Sequence, residues 1–134
     1  MKKPAMWIFT VSTMCVSISA QAESAAEKAF TDELLECAAY YQISSEAIGA
    51  MNAPQMKAVG ERLKTSAVDA VAIAGKYRAP EQVEKDVATA KQKQIAQLGG
   101  SNNLGGLMRK YKDSCKSIVS DPQKRLDYWT MATM

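Results

Sequence analysis

The chain contains no histidine, and this absence removes more chemistry than any other feature of the sequence. Imidazole is the usual general base and nucleophile activator near neutral pH. Without it there is no H-E-x-x-H zinc site and no C-x-x-C-H haem attachment. The three cysteines, Cys15, Cys37 and Cys115, form no C-x-x-C pair, so neither a dithiol redox motif nor a thiolate metal cluster is expected. The phosphate-cradling G-x-x-x-x-G-K-[ST] loop, the G-x-G-x-x-G turn and the G-x-S-x-G elbow are missing too. The sequence therefore assigns no catalytic residue, no cofactor and no metal ligand, and the expectation is a protein that is not an enzyme.

Three weaker chemical signals remain. Asp32 and Glu36 stand four apart with Glu33 between them, a spacing that puts carboxylates on one helix face. A solvated face near the favourable end of a helix dipole accounts for them. Met131 and Met134, with Met51, Met56 and Met108 elsewhere, are soft donors of the kind Cu(I) takes. They are thinly spread, and Met56 and Met108 fall in apolar stripes, where methionine is ordinary packing material. Arg109, Lys112 and Lys116 share one helix flank, with Lys110 nearby and Asp113 among them. This patch reads as solvated surface or as a docking site for an acidic partner or lipid.

The elements that would carry these groups begin with a leader. Lys2 and Lys3 precede an uncharged stretch, residues 5–20, that is rich in Met, Trp, Ile, Phe and Val. Ala20-Gln21-Ala22 follows, and then Glu23. Positive n-region, apolar h-region and small residues at the cleavage point make residues 1–22 a signal peptide, cut between Ala22 and Glu23. As a helix the uncharged stretch reaches about 24 Å, short of the roughly 30 Å a membrane anchor must cross. Cys15 leaves with the leader, and so do Lys2 and Lys3. The apparent net charge of +3 then falls close to neutrality, without the concentrated basic excess of a nucleic-acid binder.

Residues 23–134 are one domain's worth of chain, expected in the periplasm or outside the cell. In that oxidising space the remaining pair, Cys37 and Cys115, reads as a disulfide.

Helix formers dominate this domain, and Pro and Gly fall where helices would start and stop. A first helix is expected over 24–50 with Ser24 as N-cap. Its seam of Phe30, Leu34, Cys37, Tyr41 and Ile48 spans about 60° of arc. A second, opened by Pro54, carries Met56, Val59, Leu63, Ala67, Ala70, Ala74 and Tyr77 at near-heptad spacing. A third, over 80–98, has a thinner stripe of Val83, Val87, Ala90 and Leu98, interrupted by Gln94. Gly99-Gly100 stops it. A fourth places Met108, Tyr111, Cys115 and Ile118 in line. Asp121-Pro122 opens a short fifth helix. Each cysteine sits at a core position of its own helix, so the first and fourth helices should be neighbours. The fold class is an all-α bundle of four main helices and a short C-terminal one, closed by one disulfide.

Leu35, Ala39 and Ile43 form a second apolar row on the first helix, roughly opposite the seam, with Tyr40 at its edge. Another helix covers the row, or it is scatter, or it is a partner surface. The glycine-rich loop 99–106 is either left-handed backbone or a recognition loop. The leading functional expectation is a non-catalytic interaction or accessory protein of the bacterial envelope, binding another envelope protein or itself. The alternative is a carrier that holds a small apolar ligand between helices. Neither nucleic acid nor an integral membrane segment of the mature chain is expected.

Overall fold

The computed structural model describes residues 23–100 and 104–134. The expected signal peptide, residues 1–22, lies outside the described residues, as does Ala22 at its cleavage point. Five α-helices follow one another: α1 Ala25–Ala50, α2 Lys57–Ala74, α3 Pro80–Gln97, α4 Gly105–Ser120 and α5 Pro122–Ala132. The described residues contain no strand. The all-α bundle read from the sequence is the observed fold.

Local chemistry sets the helix boundaries. Ser24 and Glu27 form a reciprocal capping box at the start of α1, which satisfies two amides that the helix leaves without partners. A single 3₁₀ turn, Pro54–Met56, leads into α2. Pro80 occupies the first turn of α3 and Pro122 that of α5, where a missing N–H costs nothing. The Asp121 side chain caps α5 through the Lys124 amide. Gly99 and Gly100 take φ of 58° and 79°, the left-handed backbone that favours glycine. Gly105 and Gly106, by contrast, already belong to the first turn of α4.

α1 is the axle of the bundle and packs against each of the other four helices. Its middle is apolar and buried all the way round: Phe30, Leu34, Cys37 and Tyr41 on one side, Leu35, Ala39 and Ile43 on the other. This corrects the reading of Leu35, Ala39, Tyr40 and Ile43 as a partner surface. All four are buried by the chain's own helices, as expected of a helix with apolar residues on every face. On the seam side Ala67, Ala70 and Ala74 bring α2 close. A Cβ added at Gly60 would come within 3.2 Å of the Ile48 side chain.

Cys37 and Cys115 are bonded, with Cα atoms 5.4 Å apart. One turn along, Tyr40 stacks on Tyr111 at 5.6 Å between ring centroids. Moving up α1 thus means moving down α4, and the two helices run antiparallel.

Two arginines tie the periphery to this axle. Arg78, in the α2–α3 turn, grips Glu23 with two hydrogen bonds and also reaches Asp32 of α1 and Asp86 of α3. The Arg78 side chain is only 11% exposed, and the Glu23 hydrogen bonds hold its pKa above the ordinary arginine value. Burial pushes the Asp32 carboxyl up, but Lys28 and Arg78 outweigh it and bring the group below its usual range. Arg125 of α5 forks onto Glu33, which also accepts from the Trp129 indole N–H at 2.8 Å. The acidic face of α1 is therefore not simply solvated: Asp32 and Glu33 fasten the α2–α3 turn and α5.

Gln94, which breaks the apolar stripe of α3, is buried and donates from Nε2 to the Glu36 carbonyl at 2.9 Å. Thr133 and Thr130 cap their own helix carbonyls and play no part in the core.

Candidate functional site

Where α1, α2 and α4 part company, beyond the disulfide and toward the C-terminal end of α1, a groove of about 880 Å³ opens. α1 supplies its floor through Tyr40, Ile43, Ser44, Ala47 and Ile48. Met56 and, from α2, Val59 and Leu63 form one wall. Leu98, Leu104, Met108 and Lys112 form the other, and Met51 stands at the far end. The volume lies within the roughly 300–1,000 Å³ of small-molecule sites, and an apolar lining with few polar groups is their usual chemistry.

The groove exists because of how residue size is distributed along α2. Its C-terminal half faces α1 with alanines that are completely covered, whereas Met56, Val59 and Leu63 in and before the N-terminal half stay partly exposed. Long side chains hold neighbouring helices apart where small ones let them close. Met56 and Met108, read from the sequence as core packing, instead line this opening, and Met108 is 43% exposed. Flexible, polarizable thioethers suit a surface that must adapt to what it binds.

Polarity is concentrated at one end. The antiparallel register of α1 and α4 puts Lys112 level with Tyr40, close to the disulfide, Met108 level with Ser44 one turn on, and Leu104 further out. Lys112 is the one charged residue among those lining the groove. It forms no ion pair with any described residue. Ser44 is 3% exposed, and its Oγ makes no hydrogen bond of ordinary geometry. Its polar neighbour is the Tyr40 hydroxyl, whose ionisation is pushed up by burial and drawn back in part by Ser44. An unpaired buried hydroxyl costs on the order of 1–3 kcal/mol unless something supplies a partner.

Two other hollows differ in character. One of about 940 Å³ on the opposite side of α2 is lined by Glu46, Lys57, Glu61 and Lys64 among others, and so carries charges of both signs. The other, about 550 Å³, lies between α2 and α3 over Gln42, with Glu84 and Lys91 at its edge. Both have acidic residues standing beside their cations.

Of the residues singled out in the sequence, the structure brings Tyr40 and Ile43 to the groove and leaves Leu35 and Ala39 sealed in the core. Sequence reasoning missed Met51, Val59, Leu63, Leu98 and Leu104 as parts of a site, and read Lys112 only as a member of the basic patch with Arg109 and Lys116. The drop in side-chain size along the α2 stripe, from Met56 to Ala74, was the signal that pointed to it. Met131 and Met134 lie far out on the surface, 76% and 98% exposed. Among the described residues no group of three or more His, Cys, Asp or Glu is placed to hold a metal ion. No described helix is long and apolar enough to cross a membrane.

No protein-family model, curated protein or solved structure matches the chain, so the groove is read from its own chemistry.

Proposed function

We propose that this chain is an exported, non-catalytic binding protein of the bacterial envelope that holds a small apolar ligand between its helices. The observation that carries the reading is the apolar groove of about 880 Å³ between α1, α2 and α4. A closed core would have favoured a protein that works only through its outer surface. The groove shifts support to the carrier reading, and the leader expected over residues 1–22 supports a carrier that works beyond the cytoplasmic membrane.

An accessory protein that receives a partner's apolar helix in the same groove is the second reading. Met51 and Met108, 58% and 43% exposed at its margins, support it, because adaptable thioether surfaces accommodate helical partners.

A neutral apolar fluorophore such as N-phenyl-1-naphthylamine tests the site. The full chain is expressed in a bacterial host and purified, oxidised, in the form the host leaves it. The dye is expected to bind with enhanced emission, and Val59→Trp, which fills the groove, should remove that binding while far-UV circular dichroism stays unchanged. Dye binding that survives Val59→Trp would overturn the groove as the site. N-terminal sequencing of the same material should begin at Glu23, and recovery of the uncut chain from the cytosol would overturn export.

A further inference from the structure

An apolar groove alone selects only for greasiness. This one is built with a direction. At the end beside the disulfide stands Lys112, with no ionic partner among the described residues. At the other end Met51, Met56, Leu98 and Leu104 offer only apolar surface. Among the described residues no acid lines the groove. Asp113, next to Lys112 in sequence, lies about 100° further round α4, is exposed, and is the smallest of the three influences on the Tyr40 hydroxyl.

We propose that the ligand is a single-chain amphiphile with a carboxylate head, a medium- or long-chain fatty acid. The inference rests on the groove being the binding site and adds the chemistry of its occupant. The carboxylate would accept a charge-assisted hydrogen bond from Lys112 Nζ. The tail would run along α1 away from the disulfide, between the α2 wall of Val59 and Leu63 and the α4 wall of Met108. A neutral apolar molecule leaves Lys112 unpaired. A cationic amphiphile meets Lys112 with like charge. An anionic head pairs with it, and a straight chain can lie along the apolar lining from Ile43 to Met51.

Calorimetric titration of the oxidised protein, expressed as the full chain, compares dodecanoate, dodecanol and dodecyltrimethylammonium below their aggregation limits. Dodecanoate should bind at least tenfold more tightly than dodecanol, and dodecyltrimethylammonium more weakly than either. Shortening the chain from dodecanoate to decanoate to octanoate should weaken binding about two- to fourfold per methylene, as expected for partial to full burial of each group. Lys112→Met should abolish the preference for dodecanoate over dodecanol. Lys112 is an exposed residue, so the variant is expected to keep the wild-type melting curve.

Equal affinity for dodecanoate and dodecanol would overturn the anionic head and leave the groove standing. A flat response to chain length would overturn the tail placement. No binding of any of the three, together with absent dye binding, would remove the groove itself as a site.

Discussion

Removing the disulfide is the perturbation whose size follows most directly from the structure. Cys37 and Cys115 are 78 positions apart in the chain. In the loop-entropy description a cross-link closing a loop of that length disfavours the unfolded ensemble by about 4.5 kcal/mol. Alanine at both positions is the cleaner variant, because serine would bury two new hydroxyls where Cys115 has no exposure at all. At about 4 °C per kcal/mol for a domain of this size, Cys37→Ala/Cys115→Ala should lower Tm by about 15–20 °C.

The loss should also be uneven. α1, α2 and α3 are joined by broad apolar packing and by the Arg78 cluster, whereas α4 meets α1 mainly through Leu107, Tyr111, Cys115 and Ile118. Hydrogen exchange should therefore rise first in α4, which the bond holds against the axle, and least in α1 and α2. Thermal melts followed by far-UV circular dichroism give the first quantity, and exchange read by mass spectrometry gives the second. A shift under about 5 °C would refute the loop-entropy reasoning, and exchange rising equally in all five helices would refute the special dependence of α4.

The remaining predictions concern the core and the ionic ties. Leu35→Asp and Ile43→Asp should each unfold the domain, since both side chains are buried and a lone carboxylate has no partner there. A folded Ile43→Asp variant, judged by a cooperative melt, would restore the row as surface. Arg78→Met should destabilise by about 2 kcal/mol in urea titration, because Glu23, Asp32 and Asp86 are left facing one another. That is less than the roughly 3–5 kcal/mol of a fully buried pair, since Asp32 keeps 46% of its side-chain exposure. Arg78→Lys should recover less than half of the loss, because an ammonium cannot fork onto Glu23. An undiminished midpoint in Arg78→Met would show that the cluster contributes nothing, and one in Arg78→Lys that the fork adds nothing to a point charge. Acid should weaken the same tie. The folded-state pKa of Asp32 is depressed below its ordinary 3.8, so its contribution is complete above that value and is lost as pH falls through the folded pKa. Wild type should lose more stability than Asp32→Asn between pH 4 and pH 2, and parallel pH profiles would refute the assignment.

Much of the fold was legible in the sequence because its signals are local. Ser24 with Glu27, Pro54, Pro80, the Gly99-Gly100 pair and Asp121-Pro122 each act on the backbone within a turn of themselves. They fixed the ends of the helices with no knowledge of what the helices would touch. The cysteine pairing was legible too, because each cysteine occupied the apolar stripe of its own helix and only one partner remained.

What the sequence could not decide was which helix would lie at the centre. Leu35, Ala39 and Ile43 read as a second face only if α1 has an outside. Four helices packed around it leave it none, and that arrangement depends on packing between segments far apart in the chain. The acids of α1 were misread for the same reason: Arg78 and Arg125 come from 46 and 92 positions away to meet Asp32 and Glu33.

The groove belongs wholly to tertiary structure. Met56, Val59 and Leu63 have the same periodicity as the alanines that follow them, and a stripe does not say whether a neighbour closes on it. Burial is a property of pairs of surfaces. Lys112 became the head of an apolar groove only when the disulfide and the Tyr40–Tyr111 stack set the register of α4 on α1.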